Sequence, residues 1–261
     1  MRIVSVGHAV FAAVMIALGI IGLLTTGFIP VWEPIPKWAP AHVALDYLCA
    51  LISLAGGIGL ILRNTASVAA RVLFATLMLW MLVFRVPFIL RSPLTEGPYQ
   101  FTGETAAVVA GAWVLYAWLA ADSDRRRFGF ATGDRGVHLA RVLYALAMIA
   151  FGFSHFAYLN LTAPLVPGWL PAHVFWAYFT GAAYLAAGAA ILIGVYARLA
   201  AVLSVWQMGL FLLLVWVPML MSGKTGADTW SEAIVNAALV AGGWLVAESY
   251  RGMPWLALNK R

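Results

Sequence analysis

The sequence predicts an all-α integral membrane protein with eight transmembrane helices, arranged as two tandem four-helix bundles related by a parallel pseudo-twofold axis. Three observations predict it. Of 261 residues, 64% are hydrophobic and only 10% are charged, against roughly 25% charged in soluble domains, so a fully water-exposed surface is not available. Apolar runs long enough to cross a hydrocarbon core about 30 Å thick alternate with short polar breaks. A set of residues from the first half recurs 131 positions later. The mean hydropathy of +0.91 agrees with these.

The first apolar run spans residues 6–27; with no strongly basic leader and no small-residue cleavage site, it reads as a retained helix. The break Phe28–Pro40 holds Pro30, Pro34, Pro36 and Pro40 with Trp32 and Trp38, a stiff interfacial loop. Pro40 opens the helix 41–62, where a missing N–H costs nothing. The helix 66–90 carries Pro87 late in its length, which should kink it and free a carbonyl that needs another partner. Pro93, Gly97 and Pro98 interrupt the chain before a fourth helix at 103–121. The longest polar stretch, 122–137, contains Arg125, Arg126, Arg127 and Arg135. It is a basic cytoplasmic linker between a first repeat, 1–121, and a second, 138–261. The second repeat supplies helices at 138–160, 172–194, 197–221 and 232–249, with Pro218 in the position of Pro87. Ala55-Gly56-Gly57-Ile58-Gly59 and Gly181-Ala182-Ala183 permit close helix packing.

The repeat is specific. Trp38-Ala39-Pro40-Ala41-His42-Val43 recurs as Trp169-Leu170-Pro171-Ala172-His173-Val174, and Tyr47, Gly57, Val86-Pro87, Gly111 and Trp113 pair with Tyr178, Gly188, Val217-Pro218, Gly242 and Trp244. Met15 to Gly19 resembles Met148 to Gly152 with a two-residue slip. An even number of spans per copy makes the copies parallel. With eight spans, twelve lysines and arginines fall on the side of the termini, and Lys37, Arg85, Arg91 and Lys224 on the other. The positive-inside rule then puts both termini in the cytoplasm, in a plasma (inner) membrane. Seven spans, with one run re-entrant, is the competing count; it would separate the termini and spoil the asymmetry.

Charge and cysteine content exclude several functions. The net charge of +6 sits in loops between apolar runs, so it does not indicate a nucleic-acid partner. Cys49 is the single cysteine, which excludes an internal disulfide and CxxC redox chemistry. No phosphate-binding loop, nucleophile motif or paired catalytic carboxylates occur, so no catalytic residue is assigned.

The stretch Arg141 to Trp216 resembles the DoxX/DoxD-like membrane protein family. The residues that carry the likeness are Gly152-Phe153-Ser154-His155, Trp169-Leu170-Pro171-Ala172-His173 and Ala197-Arg198-Leu199-Ala200. The first half resembles it through the repeat, as a tandem duplicated form. Some members of that family are associated with quinone-linked oxidation of sulfur compounds or with membrane redox complexes, so the resemblance implies a quinone-related role.

Ionisable residues at membrane depth point to function. Asp46 and Arg85 lie on consecutive helices, each roughly 7–8 Å below the outer face at 1.5 Å per residue. Both are lost together in the second copy, where Ala177 and Trp216 replace them, which suggests an ion pair. His42 shares the helix face of Asp46, and Glu104 opens the fourth helix on the same side. His42, Asp46, Arg85 and Glu104 thus form one expected polar cluster. It reads either as a structural ion pair or as a site where Arg85 binds a polar headgroup and His42 or a carboxylate handles a proton. The second copy offers His155, His173 and Glu232, with Tyr158, Asn160 and Gln207 nearby; His155 reads as a packing residue or as a partner for a quinone carbonyl or haem. His8 and His138 read as interfacial. No ligand spacing supports a metal site, and no intrinsic cofactor is expected beyond a bound quinone.

Three functional classes remain open. The chain is a quinone- or lipid-interacting subunit of a membrane redox system whose partner subunit supplies the redox centre, a non-catalytic assembly or scaffold subunit, or an enzyme or transporter for a small hydrophobic compound. The concentration of ionisable residues in the outer half argues against a transport path across the whole membrane.

Overall fold

The computed structural model describes residues 3–25, 30–32, 41–223 and 226–258, and every regular element among them is helical. The Trp38-Ala39-Pro40 motif lies outside the described residues, as do Lys37, Lys224 and the basic residues Arg2, Lys260 and Arg261. The long helices are α1 (Val6–Leu24), α2 (His42–Ile61), α3 (Ala66–Arg91), α4 (Gly97–Leu119), α5 (Gly133–Ala157), α6 (His173–Ile193), α7 (Ala197–Met221) and α8 (Ala227–Glu248). A short helix, Asp122–Arg127, lies in the linker, and another, Leu159–Thr162, comes after α5. Seven helices, all of these long ones except α4, are long and apolar enough to cross a membrane, and the chain is a multi-pass membrane protein.

Helix α4 differs for a packing reason. Every residue from Thr105 to Ala117 is buried, against α3, α5 and α8. A helix enclosed on all sides needs small side chains for close approach more than lipid-facing bulk, and α4 supplies Ala106-Ala107-Val108-Val109-Ala110-Gly111-Ala112. At its centre Gly111 meets Gly242 of α8: a Cβ on Gly111 would lie 2.5 Å from the Gly242 Cα, and one on Gly242 would lie 2.6 Å from the Ala107 carbonyl oxygen.

Helix α1 packs on α2 and α8, and α5 packs on α6 and α4. The contacts of the first pair recur in the second. Gly57 on α2 faces the Ala12 carbonyl and Ile16, and Gly188 on α6 faces the Ala145 carbonyl and Ile149. Likewise Gly19 abuts Leu54, and Gly152 abuts Leu185. The α2 and α6 positions are 131 residues apart and the α1 and α5 positions 133, which is the slip seen in the sequence.

Both late prolines produce a widened turn rather than a simple kink. A proline cannot donate to the carbonyl four residues back, and its ring crowds that oxygen. Ahead of Pro87, residues Met81–Arg85 form a π turn in which the Val86 N–H reaches Met81 O; ahead of Pro218, Leu212–Trp216 form another, with Val217 donating to Leu212 O. The extra residue rotates the remainder of the helix by about 100°, one residue's share of a regular turn.

His8, which the sequence places near a helix end, is enclosed by protein at the start of α1. It is fully buried, Nε2 lies 3.0 Å from Leu60 O, and the Ser5 hydroxyl accepts from its backbone N–H as the α1 cap. The segment after α8 is held by cation–π contacts, with the Arg141 guanidinium 3.8 Å from the Tyr250 ring centroid and that of Arg198 4.0 Å from Trp255.

Candidate functional site

A cavity of about 170 Å³ opens between α3, α4 and α8, lined by Val31, Arg85, Phe101, Glu104, Val108, Ser231, Glu232 and Val235. Arg85 is presented by the π turn and is buried, at 5% exposure. Its Nε donates to Thr105 Oγ1 at 3.1 Å, and that hydroxyl in turn donates to Phe101 O at 3.3 Å. Glu104 is half-buried and Glu232 is exposed. One wall is Val31, a β-branched residue at φ 79°, where a side chain is strained. The conformation is fixed by its neighbour: Trp32 is buried, its indole N–H donates to Ser53 Oγ at 3.0 Å, and its carbonyl accepts from the Trp80 indole at 2.8 Å.

This arrangement corrects the two expected clusters. No ion pair joins Asp46 to Arg85 among the described residues. Matching depth ignored rotation: the π turn carries Arg85 round to α4 and Thr105. Asp46 is buried on α2, and neither it nor His42 lines the cavity. Arg85 and Glu104 do come together, and Glu232, expected beside the histidines, joins them from α8. The site therefore draws residues from both halves of the chain.

The second-half histidines are separated. His155 Nδ1 lies 2.8 Å from Phe151 O, and the ring is 5.6 Å from Tyr184 and stacked 6.0 Å from Phe211. A Cβ on Gly181 of α6 would lie 2.8 Å from His155 Cβ, whereas His173 begins α6 eight residues earlier, about 12 Å away along the helix. Gln207 donates to Thr180 O at 3.1 Å. No group of three His, Cys, Asp or Glu side chains converges as metal ligands among the described residues.

Glu96, Gln100 and Ser154, none of them a candidate from the sequence, extend the site from Glu104. Glu96, Gln100 and Glu104 are spaced i, i+4 and i+8, one helix face, and that spacing was the available signal. Gln100 Nε2 donates to Glu104 Oε1 at 3.0 Å. Ser154, buried on α5, has its hydroxyl against Glu96 Oε1, Gln100 Oε1 and, at 3.0 Å, Ala150 O. A hydroxyl has one hydrogen, so it cannot donate to all three. A hydrogen-bonded chain through Gln100 and Ser154 thus connects the cavity carboxyl Glu104 to Glu96 in the preceding loop.

Glu96 precedes α4 and lies outside the membrane-spanning helices. Burial pushes its carboxyl above the usual carboxylate range, partly offset by the Ser154 hydroxyl. Because the fold favours the protonated form, this contribution is complete below the ordinary value of about 4.3 and is lost as pH rises through the higher folded value. Thermal unfolding in detergent across that window should therefore show a melting temperature that falls with pH more steeply for the wild type than for Glu96→Gln. Equal slopes would show that the Glu96 carboxyl is not held in its protonated form by the fold.

No family model, curated protein or solved structure matches the chain. Its functional reading rests on the chemistry of the site.

Proposed function

We propose that this chain is a DoxX-like membrane protein that binds the polar head of a quinone-class ring amphiphile in the cavity of Arg85, Glu104 and Glu232, as the quinone-interacting subunit of a membrane redox system. The observation that carries the reading is a guanidinium and two carboxyls lining one ring-sized space between the helices. A cavity of roughly 150 Å³ accepts a benzene ring, and the space here is about 170 Å³, so a ring head fits while its tail stays in the bilayer. Arg85 is placed to donate to a ring carbonyl oxygen. Reduction of a quinone takes two electrons and two protons; Glu104 and Glu232 are the groups that deliver protons to the two ring oxygens, and the electrons come from a partner subunit carrying a redox centre.

The same proposal includes the finer architecture. The chain has eight spans, with α4 as the enclosed one, in two parallel four-helix halves whose pseudo-twofold axis passes near the contact of Gly111 with its own repeat mate Gly242. Self-contact of equivalent residues is what a twofold axis produces. The termini and the Arg125–Arg127 linker are cytoplasmic, in the plasma membrane, with the cavity toward the opposite face.

Calorimetric titration of the purified protein in nanodiscs with a short-tailed soluble benzoquinone tests the binding step. Saturable binding is expected for the wild type, weakened about tenfold by Glu232→Gln, a loss of about 1.4 kcal/mol. Glu232 is exposed, so this variant should fold normally. Binding that never saturates, or that Glu232→Gln leaves unchanged, overturns the reading.

A further inference from the structure

A second concavity, of about 480 Å³, lies on the face opposite the Arg85 cavity, where the start of α3 meets the linker helix; it is lined by Arg71, Ser123, Asp124, Arg126 and Arg127. We infer that it is a binding site for a phosphate-bearing anion, with the phosphodiester headgroup of an anionic phospholipid as its ligand chemistry. Three guanidiniums face one carboxylate, so the groove is left cationic. Its geometry is built rather than incidental. Asp124 is buried, with its side chain 6% exposed, and holds Arg71 by a 3.1 Å ion pair from Nη1. A guanidinium has five N–H donors in a planar fork, so this pairing orients Arg71 without exhausting it. Arg125, the remaining member of the run, is turned away, its Nε donating to Ala120 O at 3.1 Å. Arg126 and Arg127 are exposed, and a planar fork is the side chain suited to bidentate phosphate recognition.

The surroundings match a lipid. Arg71 is the sixth residue of α3, about 7.5 Å from the helix start, at the depth where headgroup gives way to acyl chain. Below it, Val72, Leu79 and Leu82 leave an exposed apolar stripe down α3, a track for an acyl chain whose headgroup sits in the groove. Phe128 and Phe130, just beyond the arginine run, are exposed as well, the placement of interfacial aromatic anchors. Basic pockets between membrane helices are suited to anionic headgroups. This site is independent of the Arg85 cavity and stands whether or not a quinone binds there.

The test compares melting temperatures of the detergent-solubilised full chain on adding dioleoylphosphatidylglycerol, dioleoylphosphatidylcholine or inorganic phosphate. The anionic lipid should raise the melting temperature by preferential binding to the folded state, and the zwitterionic lipid should not. The double variant Arg126→Gln/Arg127→Gln should melt like the wild type without lipid, and its apparent affinity for the anionic lipid should fall at least tenfold. Arg135→Gln removes an exposed arginine in the first turn of α5 that does not line the groove, and it should retain the full shift. A shift with inorganic phosphate alone, lost in the double variant, would identify the free anion as the ligand of the same site. Equal loss in the double variant and in Arg135→Gln would mean that only diffuse positive charge is sensed, and the proposal would be overturned, as it would by the absence of any shift.

Discussion

Gly111→Leu should leave little or no folded protein. A Cβ at this position already lies 2.5 Å from the Gly242 Cα, a backbone atom that cannot rotate away, and the leucine side chain adds three more carbons inside the most enclosed stretch of α4. Overpacking typically costs roughly 1–3 kcal/mol when side chains can yield; here two helix backbones must separate, so the loss should reach or exceed the upper end. Gly111→Ala should fall between the wild type and the leucine variant. Gly209→Leu is the control, because nothing lies within 4 Å of the Cβ position there, and leucine is the better helix former. Monodisperse yield and melting temperature in detergent report the result. A Gly111→Leu protein with wild-type melting would show that α4 and α8 do not cross at these glycines.

Arg85→Met should be the most damaging substitution in the cavity. It deletes a charged donor to Thr105 Oγ1 and removes the cation facing Glu104 and Glu232. Stranding a charge by removing its partner costs on the order of 3 kcal/mol or more in a buried site. The pattern of rescue is the informative part. Adding Glu104→Gln removes a carboxylate that has lost its counter-charge, so the double variant should be more stable than the two single losses predict by about 1 kcal/mol. Asp46→Ala should show no such coupling to Arg85→Met, and its loss should add within about 0.5 kcal/mol. The reverse pattern, coupling to Asp46 and none to Glu104, would restore the ion pair inferred from depth alone and dissolve the cavity as a unit.

The reason that depth misled bears on what a sequence displays. Period and apolarity are local properties, and they located the helices to within a few residues except at α4, α5 and α8, whose starts at Gly97, Gly133 and Ala227 precede the expected 103, 138 and 232. Proline spacing foretold a break in helical bonding at Pro87 and Pro218, and both carry it. Rotation about a helix axis past a π turn is not local in that sense. Arg85 could be assigned a depth but not a direction, and its partner changed from α2 to α4. Glu232 shows the same limit across the two halves: grouped by sequence with His155 and His173, it lines the Arg85 cavity only because α8 packs between α1, α4 and α7. The Glu96–Gln100–Glu104 spacing was visible as one helix face, while the Ser154 hydroxyl that links the first two residues comes from another helix and could be found only by folding. His8 was read as interfacial from its nearness to a helix end, and the close approach of α1 to α2 encloses it completely.

The most direct measurement is photo-crosslinking with a photoreactive short-tailed quinone in nanodiscs, with peptide mapping of the modified residues. The account predicts modification within Phe101–Val108 of α4 and Ser231–Val235 of α8, the segments that wall the Arg85 cavity, with protection by excess unlabelled quinone. Modification concentrated instead around His155, Tyr184 and Phe211, or spread without competition along the lipid-facing helices, would contradict it.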